Sequence, residues 1–146
     1  LRCFREKISM KVLFDTNIVL DVLLKREPFY TSASQLMSKV EQQEIEGYLS
    51  ATTITTVFYL LAKSLDKNAA QHYLKLILQL FQIAAVNQIV IEQAVLSNFS
   101  DFEDAVLYQA AKQAQCEMII TRNLNDFKLA SIPIMTAEQF LIHHMQ

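Results

Sequence analysis

A single glycine occurs in the 146 residues. That scarcity excludes the glycine-rich loops of P-loop and dinucleotide-binding proteins, whose backbones must approach a phosphate without a Cβ in the way. There are only two cysteines, Cys3 and Cys116, in unrelated surroundings, so neither a disulfide framework nor a thiolate zinc site can be read from their spacing. A reducing, cytoplasmic setting fits. No apolar run approaches the roughly 20 residues that a membrane-spanning helix needs. The opening LRCFREKIS is too short and too polar for a signal peptide, and the chain reads as soluble. An excess of basic charge is missing too: the formal net charge is −2 and the pI about 5.9. Domains that coat nucleic acid by bulk electrostatics carry a basic face, so any such contact here must be local.

What the chain does have is apolar content, 52% of residues, enough for one well-filled core. Met10 immediately precedes the first strand pattern. Residues 1–9 are therefore read as a leader or extension, and 10–146 as one domain without repeats or linkers. Short β-type runs alternate with longer helical ones. Strands are expected at Lys11–Phe14, Gly47–Ala51, Ile83–Val86, Glu117–Thr121 and Ile132–Met135. Helices are expected at Asn17–Leu24, Thr31–Glu44, Thr55–Ser64, Lys67–Phe81, Ile89–Ser97, Asp101–Gln115 and Thr136–His144. Asp66 reads as an N-cap, and Thr136 with Gln139 as a capping box. Strands separated by helices imply an α/β fold with a mainly parallel sheet covered on both faces.

In such sheets, sites form beyond the carboxyl ends of the strands. Asp15 directly follows Val12-Leu13-Phe14 and points into that region, although it could instead cap the next helix, a role for which Asn17 is the better reading. In SDFEDAVLYQAAKQA, Ser100 and Glu103 have capping-box spacing, and Asp101 suits the positive end of the helix dipole. Asp104 has no such excuse. It heads a stripe with Leu107, Ala111 and Ala114 that should face the sheet, and an acid at the edge of a buried stripe needs a partner. Asn123 and Asp126 lie in TRNLNDF, just after the apolar run ending Ile119-Ile120, where a capped turn would also explain them.

Convergence of Asp15, Asp104 and Asp126 would demand a cation, because two charges about 4 Å apart repel by about 4 kcal/mol at an effective dielectric near 20. An all-oxygen set suits Mg²⁺ or Mn²⁺ better than zinc. The histidines, His72, His143 and His144, have no acidic or thiol partner at a recognisable spacing and read as solvated.

Four blocks in order, MKVLFDTNIVLDVLLKREPF, SATTITTVFYLLAK, FEDAVLYQAA and TRNLNDF, resemble the signature blocks of PIN domains, in particular the VapC-like toxins of toxin–antitoxin pairs. The resemblance covers Met10 to the C-terminus. It implies a three-layer α/β/α domain around a mainly parallel sheet of about five strands, with Mg²⁺- or Mn²⁺-dependent endonucleolytic cleavage of RNA. Carried over residue by residue, it makes Asp15, Asp104 and Asp126 metal ligands, Asp101 an acid supporting them, and Thr16, Asn17 and Asn123 polar supports. Beside them, Arg122 is expected to contact a phosphate, with Lys11, Lys25 and Arg26 as further cations. The resemblance also implies a small antitoxin partner, gripping the helices of Thr31–Glu44 and Thr55–Phe81, and a homodimer.

One departure stands out. The glutamate that many members carry in the helix after the second strand is absent, and its place falls at about Thr56. That favours one ion over two, and it leaves room for a catalytically degenerate binding module. A third reading is phosphotransfer on Asp15. Haloacid-dehalogenase-like phosphatases need a second Asp where this chain has Asn17, and receiver domains need an acidic pair at the first strand's end.

Overall fold

A computed structural model describes residues 9–144. Residues 1–8 of the expected leader, with Cys3, lie outside that range. The strands are β1 (Met10–Phe14), β2 (Ile45–Ser50), β3 (Gln82–Ala84), β4 (Met118–Ile120) and β5 (Ile134–Met135). They form one sheet in the order β3-β2-β1-β4-β5, and every pairing is parallel. Parallel neighbours cannot be joined by tight hairpins, so the connections carry helices. These are α1 (Thr16–Leu23), α2 (Tyr30–Glu41), α3 (Ala51–Ser64), α4 (Lys67–Leu80), α5 (Gln88–Leu96), α6 (Phe102–Gln113) and α7 (Ala137–His144).

Because the sheet is buried on both faces, its centre carries unbroken apolar runs, Val12–Phe14 on β1 and Met118–Ile120 on β4, instead of alternating. Val12, Phe14, Leu49 and Ile120 pack with Ile18, Leu36, Val57, Leu61 and Phe140, beneath α1–α4 and α7. Leu13 and Ile119 turn the other way, onto Val106, Leu107, Ala111 and Phe127, beneath α5 and α6. The result is the expected three-layer α/β/α arrangement. The one glycine, Gly47 on β2, sits where a Cβ would lie 2.7 Å from the Phe81 ring. Its absence lets Phe81 close over the sheet and meet Phe14 edge-on, with centroids 5.6 Å apart.

Elsewhere the chain manages without glycine. Lys25, Gln43 and Gln115, just past the ends of α1, α2 and α6, take the left-handed conformation with φ of 51°, 63° and 63°. Glycine usually fills such places, and each non-glycine residue there costs about 1 kcal/mol. The expected Asp66 cap is present, with Ala69 N–H donating to Asp66 Oδ1 at 2.7 Å. The Thr136–Gln139 box is reciprocal, at 3.0 and 3.1 Å. The clearest shift of a boundary is in α3, which starts at Ala51 instead of Thr55. Ser50 ends β2 and caps α3 at once, accepting from Thr52 N–H at 3.3 Å. The β-branched run ATTITT has weak helix propensity, and capping with burial of Thr53 and Val57 overrides it.

Candidate active site

Asp15 follows β1 in extended conformation, and its backbone N–H continues the ladder by donating to Ile120 O at 2.9 Å. It is the cap of α1 after all, with Asp15 Oδ1 accepting from Thr16 N–H at 2.7 Å. The expectation that Asn17 would cap this helix is thus corrected, because α1 begins one residue earlier, at Thr16. Asp15 Oδ2 accepts from the Thr121 hydroxyl at 2.8 Å, and Thr121 Oγ1 in turn accepts from Asn123 N–H at 3.0 Å. Thr16 shares a hydrogen bond with Thr53 across to α3, 2.9 Å between hydroxyl oxygens. Strand end, helix start and the β4 connection are therefore tied together through one carboxylate.

Thr121 and Thr53 escaped the sequence reading. Both are buried, and Thr121 is the last residue of the expected fourth strand. A polar residue closing an apolar strand was the available signal. Replacing Thr121 with Val keeps the shape but strips Asp15 and Asn123 of a partner. Chemical denaturation should show a loss of about 1–3 kcal/mol; an unchanged midpoint would mean that the hydroxyl is dispensable.

Around Asp15 opens a cleft of about 230 Å³ at the carboxyl ends of the strands. Asp15, Asp101, Glu103, Asp104 and Asp126 line it, with Thr16, Asn17, Thr56 and Asn123. The acids expected to meet thus share one cleft. Thr56 stands there too, at the place assigned to the missing glutamate. Among the described residues, no three carboxylate, imidazole or thiol groups stand close enough together to enclose a metal ion as they are placed.

On α6 the cap is Asp101, whose Oδ1 accepts from Asp104 N–H at 3.2 Å. This replaces the expected Ser100–Glu103 box. The helix starts at Phe102, so Asp104 takes the third helical position and Glu103 faces the cleft.

The electrostatics follow from this crowding. Asp104 is pushed up from 3.8 to about 7, first by burial and then by Asp15, Asp101, Asp126 and Glu103. Burial also raises Asp15, against the pull of Thr121 and the Thr16 N–H; Asp126 pushes it further up and Arg122 draws it down. Unneutralised negative charge in an all-oxygen donor set is what a hard divalent cation relieves, so these residues fit Mg²⁺ or Mn²⁺.

The expected cations are placed differently. Arg122 Nε lies 3.0 Å from Asp21 Oδ2, and its guanidinium stacks 4.0 Å from the Phe29 ring centre. It lines a separate pocket with residues of α1, α2 and α7. Arg26 donates to Asp21 and Asn17, at 3.0 and 3.1 Å. Lys11 lies over Tyr48, and neither it nor Lys25 lines the cleft. The histidines are exposed, as expected. Cys116 is buried, with its thiol pushed up to about 12 by burial, which makes it inert.

A parallel α/β/α sandwich with an acidic cleft beyond its central strands defines the class of protein. The chain belongs to the PIN domain family, whose model matches residues 11–125. A relative described as Ribonuclease VapC1, from Aquifex aeolicus, is 28% identical over 137 residues, covering 90% of this chain and 94% of its own. A toxin–antitoxin complex from Klebsiella pneumoniae is similar in structure, with TM-score 0.65, 26% identity, and coverage of 86% of this chain and 97% of its own. FitAcB from Neisseria gonorrhoeae shares the fold, with TM-score 0.67, 21% identity, and coverage of 87% and 98%.

Proposed function

We propose that this chain is a Mg²⁺- or Mn²⁺-dependent endoribonuclease and the toxin of a toxin–antitoxin pair. The observation that carries the reading is the shared cleft of Asp15, Asp104 and Asp126, with Asp104 pushed up to about 7. A relative named as a ribonuclease and a similar structure titled as a toxin–antitoxin complex support the substrate and the small antitoxin partner. Among the described residues no helix is long and apolar enough to cross a membrane, in keeping with a toxin that works in the cytoplasm.

In this reading Asp15, Asp104 and Asp126 hold the cation. Once bound, it supplies Lewis acidity for the attacking water and offsets charge building on the phosphate. The remaining work belongs to the chain. Thr121 and the Thr16 N–H favour the ionised form of Asp15. With its carboxyl raised to about 7, Asp104 would be partly protonated in the free protein at neutral pH and would give up that proton on holding a cation. Asp101 fixes the start of α6, and so the position of Asp104. Asn123 is held by Thr121, while Asn17 and Thr16 present polar groups to the phosphate from α1. Arg122, committed to Asp21, acts by weakening the negative field at Asp15 more than by touching substrate. With a hydroxyl at Thr56 in place of a carboxylate, one ion is the stoichiometry that the charge supports.

The same Thr56 favours a second reading, a binding module that kept the fold and lost activity. Incubating RNA with the protein and Mg²⁺, then analysing the ends by mass spectrometry, separates the two. External water as the nucleophile yields internal cuts without a 2′,3′-cyclic phosphate, since the ribose hydroxyl takes no part. Intact RNA would favour the binding module, and a stable phosphoryl group on Asp15 after acetyl-phosphate treatment would favour phosphotransfer.

A further inference from the structure

Asp21 is a carboxylate with 0% exposure, in the last turn of α1, and the cleft does not use it. Burying such a charge is costly unless cations meet it. Two do: Arg26 Nε is 3.0 Å from Oδ1, and Arg122 Nε is 3.0 Å from Oδ2. Burial pushes the Asp21 carboxyl up, while Arg122 and Arg26 pull it back toward the charged form. Replacing the three charges with apolar groups would often be as stable, so stability alone is a weak reason for the arrangement.

The geometry points to a task. Arg26 sits on the connection after α1, with a side chain about one-third exposed that would otherwise sample many rotamers. Held at Nε by Asp21, it reaches back along α1 and donates from Nη2 to Asn17 Oδ1 at 3.1 Å. This bond decides which way the amide points: Oδ1 is turned to the arginine, and Nδ2–H₂ is the end left for the cleft that Asn17 lines. A cation on the carbonyl side also polarises the amide and strengthens Nδ2–H₂ as a donor.

We propose that Asp21 is a positioning residue. Through Arg26 it fixes Asn17 so that a neutral N–H donor faces a non-bridging phosphate oxygen of the substrate. In a cleft crowded with carboxylates, phosphate is repelled, and a flipped amide would offer it a further lone pair. Asp21 thus sets the sign of the one group on the first turn of α1 that can donate twice. The role of the phosphate rests on the ribonuclease reading; the orientation of Asn17 does not.

The test uses Arg26→Met, which keeps the stem of a partly exposed side chain and removes its donors, together with Asn17→Ala and the double variant. With thermal melts showing all three folded, each single change should lower kcat for RNA cleavage by about 10- to 100-fold, with Mn²⁺ affinity retained. The double variant should be no slower than Asn17→Ala, because both act through one amide. Multiplying losses, or Arg26→Met at the wild-type rate, would overturn the proposal. Asp21→Asn should match Arg26→Met where it folds. A second arm needs no activity: in ¹⁵N spectra of the metal-free protein, the Asn17 side-chain amide should move toward its random-coil position in Arg26→Met. An unmoved resonance overturns the positioning role even if RNA is cut. A moved one in a protein that cuts no RNA sustains it while the ribonuclease reading falls.

Discussion

Replacing Asp104 with Asn is expected to lower cation-dependent RNA cleavage by on the order of 10³-fold while making the metal-free protein more stable at neutral pH. The two effects share a cause. Asp104 is raised from 3.8 to about 7, so the folded state disfavours its charge relative to the unfolded chain. A raised carboxyl destabilises fully above its folded value, and the penalty fades as pH falls through 7 toward 4. Asparagine is neutral throughout, so, with solvent screening the half-buried carboxyl, the variant should exceed the wild type by on the order of 1–2 kcal/mol at pH 8 and converge with it near pH 4. Thermal melts in EDTA across that range check the stability, and gel assays the cleavage. Parallel melting curves at all pH values would remove the electrostatic argument, and undiminished cleavage would remove Asp104 from the site.

Adding Mn²⁺ to the wild-type protein at pH 7 should release about half a proton per ion, drawn from Asp104, and close to a full proton at pH 6. Titration calorimetry in buffers of different ionisation enthalpy reads that number. The same ion at about 100 times its Kd should raise stability by about 2.7 kcal/mol, and the Tm by about 5–10 °C. Asp104→Asn should lose both responses. Binding without proton release would mean that the ion sits elsewhere than on Asp104.

Much of this architecture is visible in the amino-acid order because its signals are local. A parallel strand buried on both faces, such as Val12-Leu13-Phe14, is an unbroken apolar run, and the acid that follows it has nowhere to go but the strand end. The placing of Asp104 rests on one helical stripe, which the burial of Leu107 and Ala111 repeats. What escaped depends on partners distant in sequence. Thr121 matters because it bonds Asp15, 106 residues away, and Thr53 because it meets Thr16, 37 residues away. Arg122 sits next to Asn123 in sequence but opens onto another pocket, since its charge is claimed by the buried Asp21, which no periodicity distinguishes from a solvated residue. The start of α6 misled for a different reason: Ser100 and Asp101 are adjacent good caps, and it is the second whose carboxylate accepts from the helix, at Asp104 N–H.

Two properties are at stake: that these carboxylates hold a divalent cation, and that the cation is required to cut RNA. Single-turnover cleavage of an RNA substrate, measured against free Mn²⁺ from a chelated start, tests both at once. No cleavage is expected in excess EDTA, with recovery on adding Mn²⁺ at a Hill slope of about 1 as one site requires, and no recovery for Asp104→Asn. Cleavage that persists in EDTA, or intact RNA when Mn²⁺ is shown to be bound, would contradict that expectation.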